Sequence, residues 1–254
     1  MNYLWIYPQK KNKNMAQIWT IAKRELGSFF DSLMAYIMMV AFLGFSGFFT
    51  WIFGSDIFFV KEASLQPFFG IAYWTLFFFI PAITMKLFAE ENKSGTIELL
   101  LTRPVTDWQV IAGKFTATLI LILVALGLTL PYYITVASLG PIDHGSVITG
   151  YFGLILISCA YISIGLFASS FSNNQIVAYL LALIIGIFFH IIFDMLASGL
   201  SGILGEIISF LSISQHFESI SRGVIDSRDI IFFCSVVFIG LILTEMNLLK
   251  RRIA

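Results

Sequence analysis

Met85–Lys114, MKLFAEENKSGTIELLLTRPVTDWQVIAGK, decides how the rest of the chain is read. It is the longest polar interruption between apolar segments, apart from the two ends and one late loop. It carries four basic residues (Lys86, Lys93, Arg103, Lys114) and four acidic ones (Glu90, Glu91, Glu98, Asp107). Long apolar runs flank it on both sides. Ser94 and Gly95 are placed to end one helix, and Thr96–Leu101 has the pattern of a short amphipathic helix. There Ile97, Leu100 and Leu101 share one side and Glu98 the other. Pro104 stops it, because proline cannot continue a helix and drives Arg103 from helical angles. Thr106-Asp107-Trp108-Gln109 then reads as a capping box that starts the next span. The expected object is a short charged helix across a membrane surface, held between two stiff spans. The plainer reading is a charged loop that only sets topology. The apolar Ile97–Leu101 segment argues for a partner surface.

Outward from this stretch the solvent is lipid. The 254 residues are 58% hydrophobic and 12% charged, with a mean hydropathy of +0.90. A soluble domain carries roughly 25% charged residues. Six apolar runs, each near the ~20 residues a bilayer requires, are Leu33–Phe53, Pro67–Phe88, Trp108–Val136, Ser146–Ala168, Ile176–Leu196 and Ile230–Leu249. Runs of this length without alternation satisfy their backbone as helices. The expected fold is an all-α membrane protein, one transmembrane domain over residues 1–254. Pro81 and Pro131 are positioned to kink the second and third spans. Gly44, Gly47, Ser163, Gly165 and Ser169 are small enough for close helix packing. Cys159 and Cys234 read as small buried hydrophobes.

The first fourteen residues lack the apolar core of a signal peptide and read as a tail or an over-called start. Between Met15 and Phe30 (residues 15–30), Met15, Ile18, Trp19, Ala22, Leu26, Phe29 and Phe30 form one helical stripe. Lys23, Arg24 and Ser28 lie elsewhere. This is an amphipathic helix, expected on the membrane surface; extension of the first span is the other reading. With the N-terminus cytoplasmic, twelve of the 15 basic residues fall inside and only Lys61, Arg222 and Arg228 outside. That bias places both termini in the cytoplasm. The uncharged Ser169–Gln175 loop is a second, smaller inner contact. The outer loop 197–229 is broken by Gly199, Gly202 and Gly205 and carries an apolar stripe of Ile203, Ile207, Phe210 and Leu211. Short helices dipping into or lying on the outer leaflet are expected, or else a surface loop with one such helix.

Lys86-Leu87-Phe88-Ala89-Glu90-Glu91, Ser94–Thr102, Pro104-Val105-Thr106 and Gly113-Lys114 together resemble the signature of ABC-2-type transporter permeases. The similarity is greatest to the gliding-motility permease F subunit, and extends to the nitrous-oxide-reductase maturation permease. Lys86 stands where the family often has Arg, which keeps the charge but loses a bidentate contact. The resemblance implies that residues 86–107 form a coupling helix docking on a separate ATP-binding subunit, with Glu90, Glu91, Gly95, Thr96 and Glu98 at the contact. ATP and magnesium would belong to that subunit. It also implies a connecting helix over 15–30, a re-entrant hairpin before the last span, and a second permease chain, alike or related, meeting this one through spans one and five.

The chain has no phosphate-binding loop: Gly113-Lys114 is followed by Phe115 and enters a span. No metal spacing, nucleophile–base pair or basic-aromatic surface for nucleic acid is present, so the chain is not read as an enzyme. His190 and Asp194 lie four apart in the fifth span, where ionisable groups invite a functional reading. A wet or hydrogen-bonded pair near the interface is the expectation. Asp31 and Glu245 read as inner-end contacts. The leading function is the inner-membrane permease subunit of an ATP-driven exporter or gliding-motility machine. The alternative is a stand-alone secondary transporter or scaffold. A carrier should show broken spans with polar pairs at mid-membrane, and the sequence shows little of that.

Overall fold

A computed structural model describes residues 9–53, 63–96, 105–200 and 202–253. The predicted helix Thr96–Leu101, beyond Thr96 itself, lies outside the described residues together with Glu98, Arg103 and Pro104. The first eight residues and most of the loop carrying Lys61 also lie outside them.

The described chain is helical, with no strand among the described residues. In order it runs α1 (Gln9–Asp31), α2 (Leu33–Trp51), α3 (Gln66–Thr84), α4 (Lys86–Ser94), α5 (Asp107–Gly127), α6 (Leu130–Leu139) and α7 (His144–Phe171). Next come α8 (Gln175–Ile187), a π-helical turn (Phe188–Ile192), α9 (Phe193–Gly199), α10 (Ile203–Ser209), α11 (Ile213–Ser221) and α12 (Ser227–Ile253). Six segments are long and apolar enough to span a bilayer: α2, α3–α4, α5–α6, α7, α8–α9 and α12. All six predicted runs fall on them.

The fourth span is the axis. It is 72% buried, against 22–56% for the others, and α3, α8, α11 and α12 all pack on it. Small residues let them approach. A Cβ on Gly165 would collide with Thr84 Oγ1, and one on Gly240 would meet Ser163 Oγ at 2.8 Å. With little hydrophobic drive between helices in lipid, such backbone proximity supplies the dispersion energy. Gly47 lies under the Tyr132 ring as expected, whereas Gly44 faces open space.

Two spans break near their prolines. The second continues through Pro81 and bends at Met85, where α4 begins. Ser169 of α7 stitches this bend. Its hydroxyl accepts from the Phe88 and Ala89 N–H groups (2.9 and 3.1 Å) and donates to the Met85 carbonyl (3.0 Å). The third breaks at Leu128–Thr129, just before Pro131. Thr129 there meets the Tyr151 hydroxyl at 2.9 Å.

Several expectations change. The N-terminal helix begins at Gln9 and packs along α5. Ala22 and Phe29 are buried there, while Met15 and Trp19 point away. In the late loop the stripe of Ile203, Ile207, Phe210 and Leu211 is exposed, which agrees with a face turned to the outer leaflet, while the following helix α11, not singled out in the sequence, is the packed one. Its Phe217 and Ile220 lie over Gly153 of α7. Cys159 and Cys234 are free thiols, and Cys234 is exposed rather than buried.

His190 is buried, not wet, and it is not paired with Asp194. The π-helical turn adds a residue to the register and turns the imidazole inward. Its Nδ1 meets the Tyr161 hydroxyl at 2.5 Å. The ring stacks on Tyr73 at 4.1 Å, and Tyr73 stacks in turn on Phe217 at 4.8 Å. Asp194 instead accepts from the Gln215 side chain at 3.1 Å.

Candidate functional site: a buried ion joint

Where α1, α4 and α5 meet, the chain buries a lysine. Lys114 lies two turns into α5, a helix started by the capping box the sequence predicts. The Thr106 hydroxyl accepts from Gln109 N–H (3.3 Å), and the Gln109 side chain accepts from Thr106 N–H (2.9 Å). Gly113, one residue earlier, lets α1 close in, since a Cβ there would meet Ile21 at 2.6 Å. That contact seals Lys114 to 1% exposure.

The ammonium has three protons to place. They go to the Leu87 carbonyl of α4 (2.7 Å), Glu91 of α4 (2.8 Å) and Glu25 of α1 (3.3 Å). The Phe88 ring lies 5.1 Å below it. Arg24 closes the network against Glu25 and, at 3.6 Å, against Glu91. Two cations thus face two carboxylates, and one side chain from α5 fixes two other helices. Burial alone would raise the Glu25 carboxyl, but Lys114 and Arg24 outweigh it and hold it below the usual glutamate range. Burial likewise opposes the charge on Arg24, yet Glu25 and Glu91 raise it above its ordinary value.

Above the joint opens a cleft of about 440 Å³, with Lys86, Glu90, Glu91 and Thr96 on one wall and Arg24 and Ser28 on the other. Of the sequence-predicted contact residues, Glu90, Glu91 and Thr96 therefore share one site. Gly95 adjoins it and ends α4 in the left-handed conformation (φ 71°), which glycine adopts at little steric cost. Glu98 lies outside the described residues. Glu90, Gly95 and Thr96 are exposed. Glu91 differs: Lys114 and Arg24 hold one of its oxygens.

The Ser169–Gln175 loop lies at the same end of the bundle. The Asn92 amide donates to the Ser172 carbonyl at 3.1 Å, and Arg251 donates to the Asn173 side chain at 3.2 Å. The sequence reading missed Glu25, Arg24 and Asn92 as members of the site. The one available signal was Lys114 itself, a lysine entering an apolar run that had to find carboxylates. No group of metal-ligating side chains occurs among the described residues.

Residues 6–243 match the family described as ABC-2 family transporter protein. The chain is also 27% identical over 157 residues to the proteins described as "Probable multidrug ABC transporter permease YbhR" in Escherichia coli K12 and O157:H7. That alignment takes in 56% of this chain and 38% of each relative's length. Six apolar spans, the fourth buried among the others, and a match over nearly the whole length lead to one conclusion: the chain is a multi-pass membrane protein of the ABC-2 transporter family.

Proposed function

We infer that this permease converts ATP hydrolysis on a separate subunit into export or mechanical work through the segment between α4 and α5. One observation carries the reading: the Lys114 joint clamps α4 and α1 to α5, while the Thr106 box fixes the start of α5. A segment anchored at both ends transmits a push to two spans at once. Exposed Glu90, Gly95 and Thr96, with Glu98 beyond them, then form the docking contact, and Glu91 serves the anchor. ATP and magnesium belong to the partner.

Glu98→Arg and Glu90→Arg should insert and fold normally yet lose affinity for the ATP-binding subunit on the order of a hundredfold, several kcal/mol for a reversed charge at a desolvated contact. Pull-down at matched expression reads this. Undiminished capture and ATP-dependent activity in both variants would return the segment to a topology loop.

Both termini are proposed to be cytoplasmic, in the inner membrane, from the basic bias. A cysteine at Lys250 should then resist an impermeant thiol reagent in intact cells, and one at Arg222 should react, with Cys159 and Cys234 replaced by serine. The reverse pattern would invert the topology and remove the docking site from the cytoplasm. A second permease chain completes the pore. Spans one and five have the fitting bare faces, such as Val40 and Phe45 on α2 and Leu180 and Ile184 on α8. The cargo class that suits these aromatic, weakly charged spans is lipophilic, in keeping with the description of the Escherichia coli relatives as multidrug permeases. Placement in a gliding-motility machine, where no cargo is needed, rests on the resemblance of residues 86–114 alone.

A further inference from the structure

Spans five and six both lean on α7 and leave between them a groove of about 380 Å³. Phe167 of α7 forms its floor and Phe189 one wall, while Phe210 and Leu211 line it beside Phe232. The other wall is a single face of α12: Ile231, Phe232, Val236, Ile239 and Leu243 recur at helical spacing. Ser235 also lies on this wall, but its hydroxyl donates back to the Ile231 carbonyl at 2.7 Å. The groove therefore offers an occupant almost nothing but hydrocarbon.

Its length and lining select the occupant. The twelve steps from Ile231 to Leu243 rise ~18 Å at ~1.5 Å each, close to the ~15 Å of one leaflet's hydrocarbon. That length and the nearly unbroken hydrocarbon lining suit one extended acyl chain.

The mouth carries the matching charge. Arg228 precedes Ile231 and Phe232 by three and four residues, on the same face of α12. It is exposed and forms no ion pair among the described residues. Helical side chains lean toward the N-terminus, so the guanidinium leans out of the apolar groove to where a headgroup would lie. We propose that this groove is a phospholipid site, with one acyl chain between spans five and six and the lipid phosphate at Arg228. The site stands independently of how the ATP-binding subunit docks.

The test is native mass spectrometry of the purified permease, in its complex, after delipidation that strips loosely held lipid, followed by titration with phosphatidylglycerol and phosphatidylcholine. The wild type should retain one tightly held phospholipid per chain and take up both lipids, because the phosphate is common to them. Ile239→Trp, which fills the groove, should abolish retention. Phe238→Trp, on the exposed face next to it, should leave retention unchanged. Arg228→Gln should weaken binding on the order of fivefold, the factor expected of one basic group at an anionic headgroup. Equal retention by the two tryptophan variants would overturn the proposal. So would disulfide formation between two chains carrying Ile239→Cys in a background with Cys159 and Cys234 replaced by serine, since a second copy would then occupy the groove.

Discussion

The two ends of the bundle are fastened in different proportions by charge and by ring stacking, the α11 end holding a buried His216–Asp229 contact at 2.6 Å. At the α4 end, three helices are tied by a lysine, an arginine and two glutamates within a few ångströms. At the α10–α11 end, a stack of Phe217, Tyr73 and His190 ties α11 to spans two and five. The ionic joint is strong but intolerant, because its charges have left water and each depends on the others. The aromatic stack is weaker and more forgiving, because it rests on packing rather than on paired charges and another apolar side chain of similar volume can fill the place of a ring. An element that must transmit force suits the first kind of fastening, and one that must move suits the second.

The sharpest way to break the comparison is at Lys114. Lys114→Met leaves Glu25 and Glu91 with only the half-exposed Arg24 as counter-charge and should destabilise the permease by about 3–5 kcal/mol, seen as a large fall in unfolding temperature in detergent. Lys114→Met with Glu25→Gln and Glu91→Gln should recover most of that loss, since no buried charge is then left unpaired and the remaining Arg24 is half-exposed. If the single substitution were neutral, the joint would not hold the helices.

Phe217→Leu should cost less, about 0.5–1.5 kcal/mol for the lost ring stacking, because leucine keeps most of the apolar volume packed over Gly153. The same thermal assay measures it. A loss as large as that of Lys114→Met would erase the proposed difference between the ends.

The smallest effect is a pH dependence. The folded-state value of Glu25 is lowered, so its stabilisation is fully present above the ordinary glutamate value near 4.5 and is lost as pH falls through the lower folded value. Glu25→Gln should flatten the acid limb of a stability profile below about pH 4.5 and lower the plateau above it. An unchanged acid limb would mean that Glu25 does not feel Lys114.

What was readable in the chain was local. The Thr106–Gln109 box, the helix end at Ser94–Gly95 and the six spans are each encoded in contiguous stretches of chain, and the structure reproduces them. The Gly165 contact with span two was readable only in part, as a small residue without a named neighbour. The register of His190 was misread because a π-helical turn leaves no clear mark in an apolar run, and a single added residue rotates the following side chains by about 100°.

The sequence by itself determined an all-helical membrane protein and the position of its charged segment, because a bilayer forces every backbone group to pair within its own segment. Only the tertiary structure decided that Lys114 joins Glu25 and Glu91, residues 89 and 23 positions away. It also decided that Ser169 stitches the bend at Met85 and that α12 shares a groove with span five. A buried charge states in the sequence only that it needs a counter-charge. Which one it meets is set by how the helices cross, and that depends on small residues such as Gly113, whose missing side chain brings α1 to within reach of Lys114.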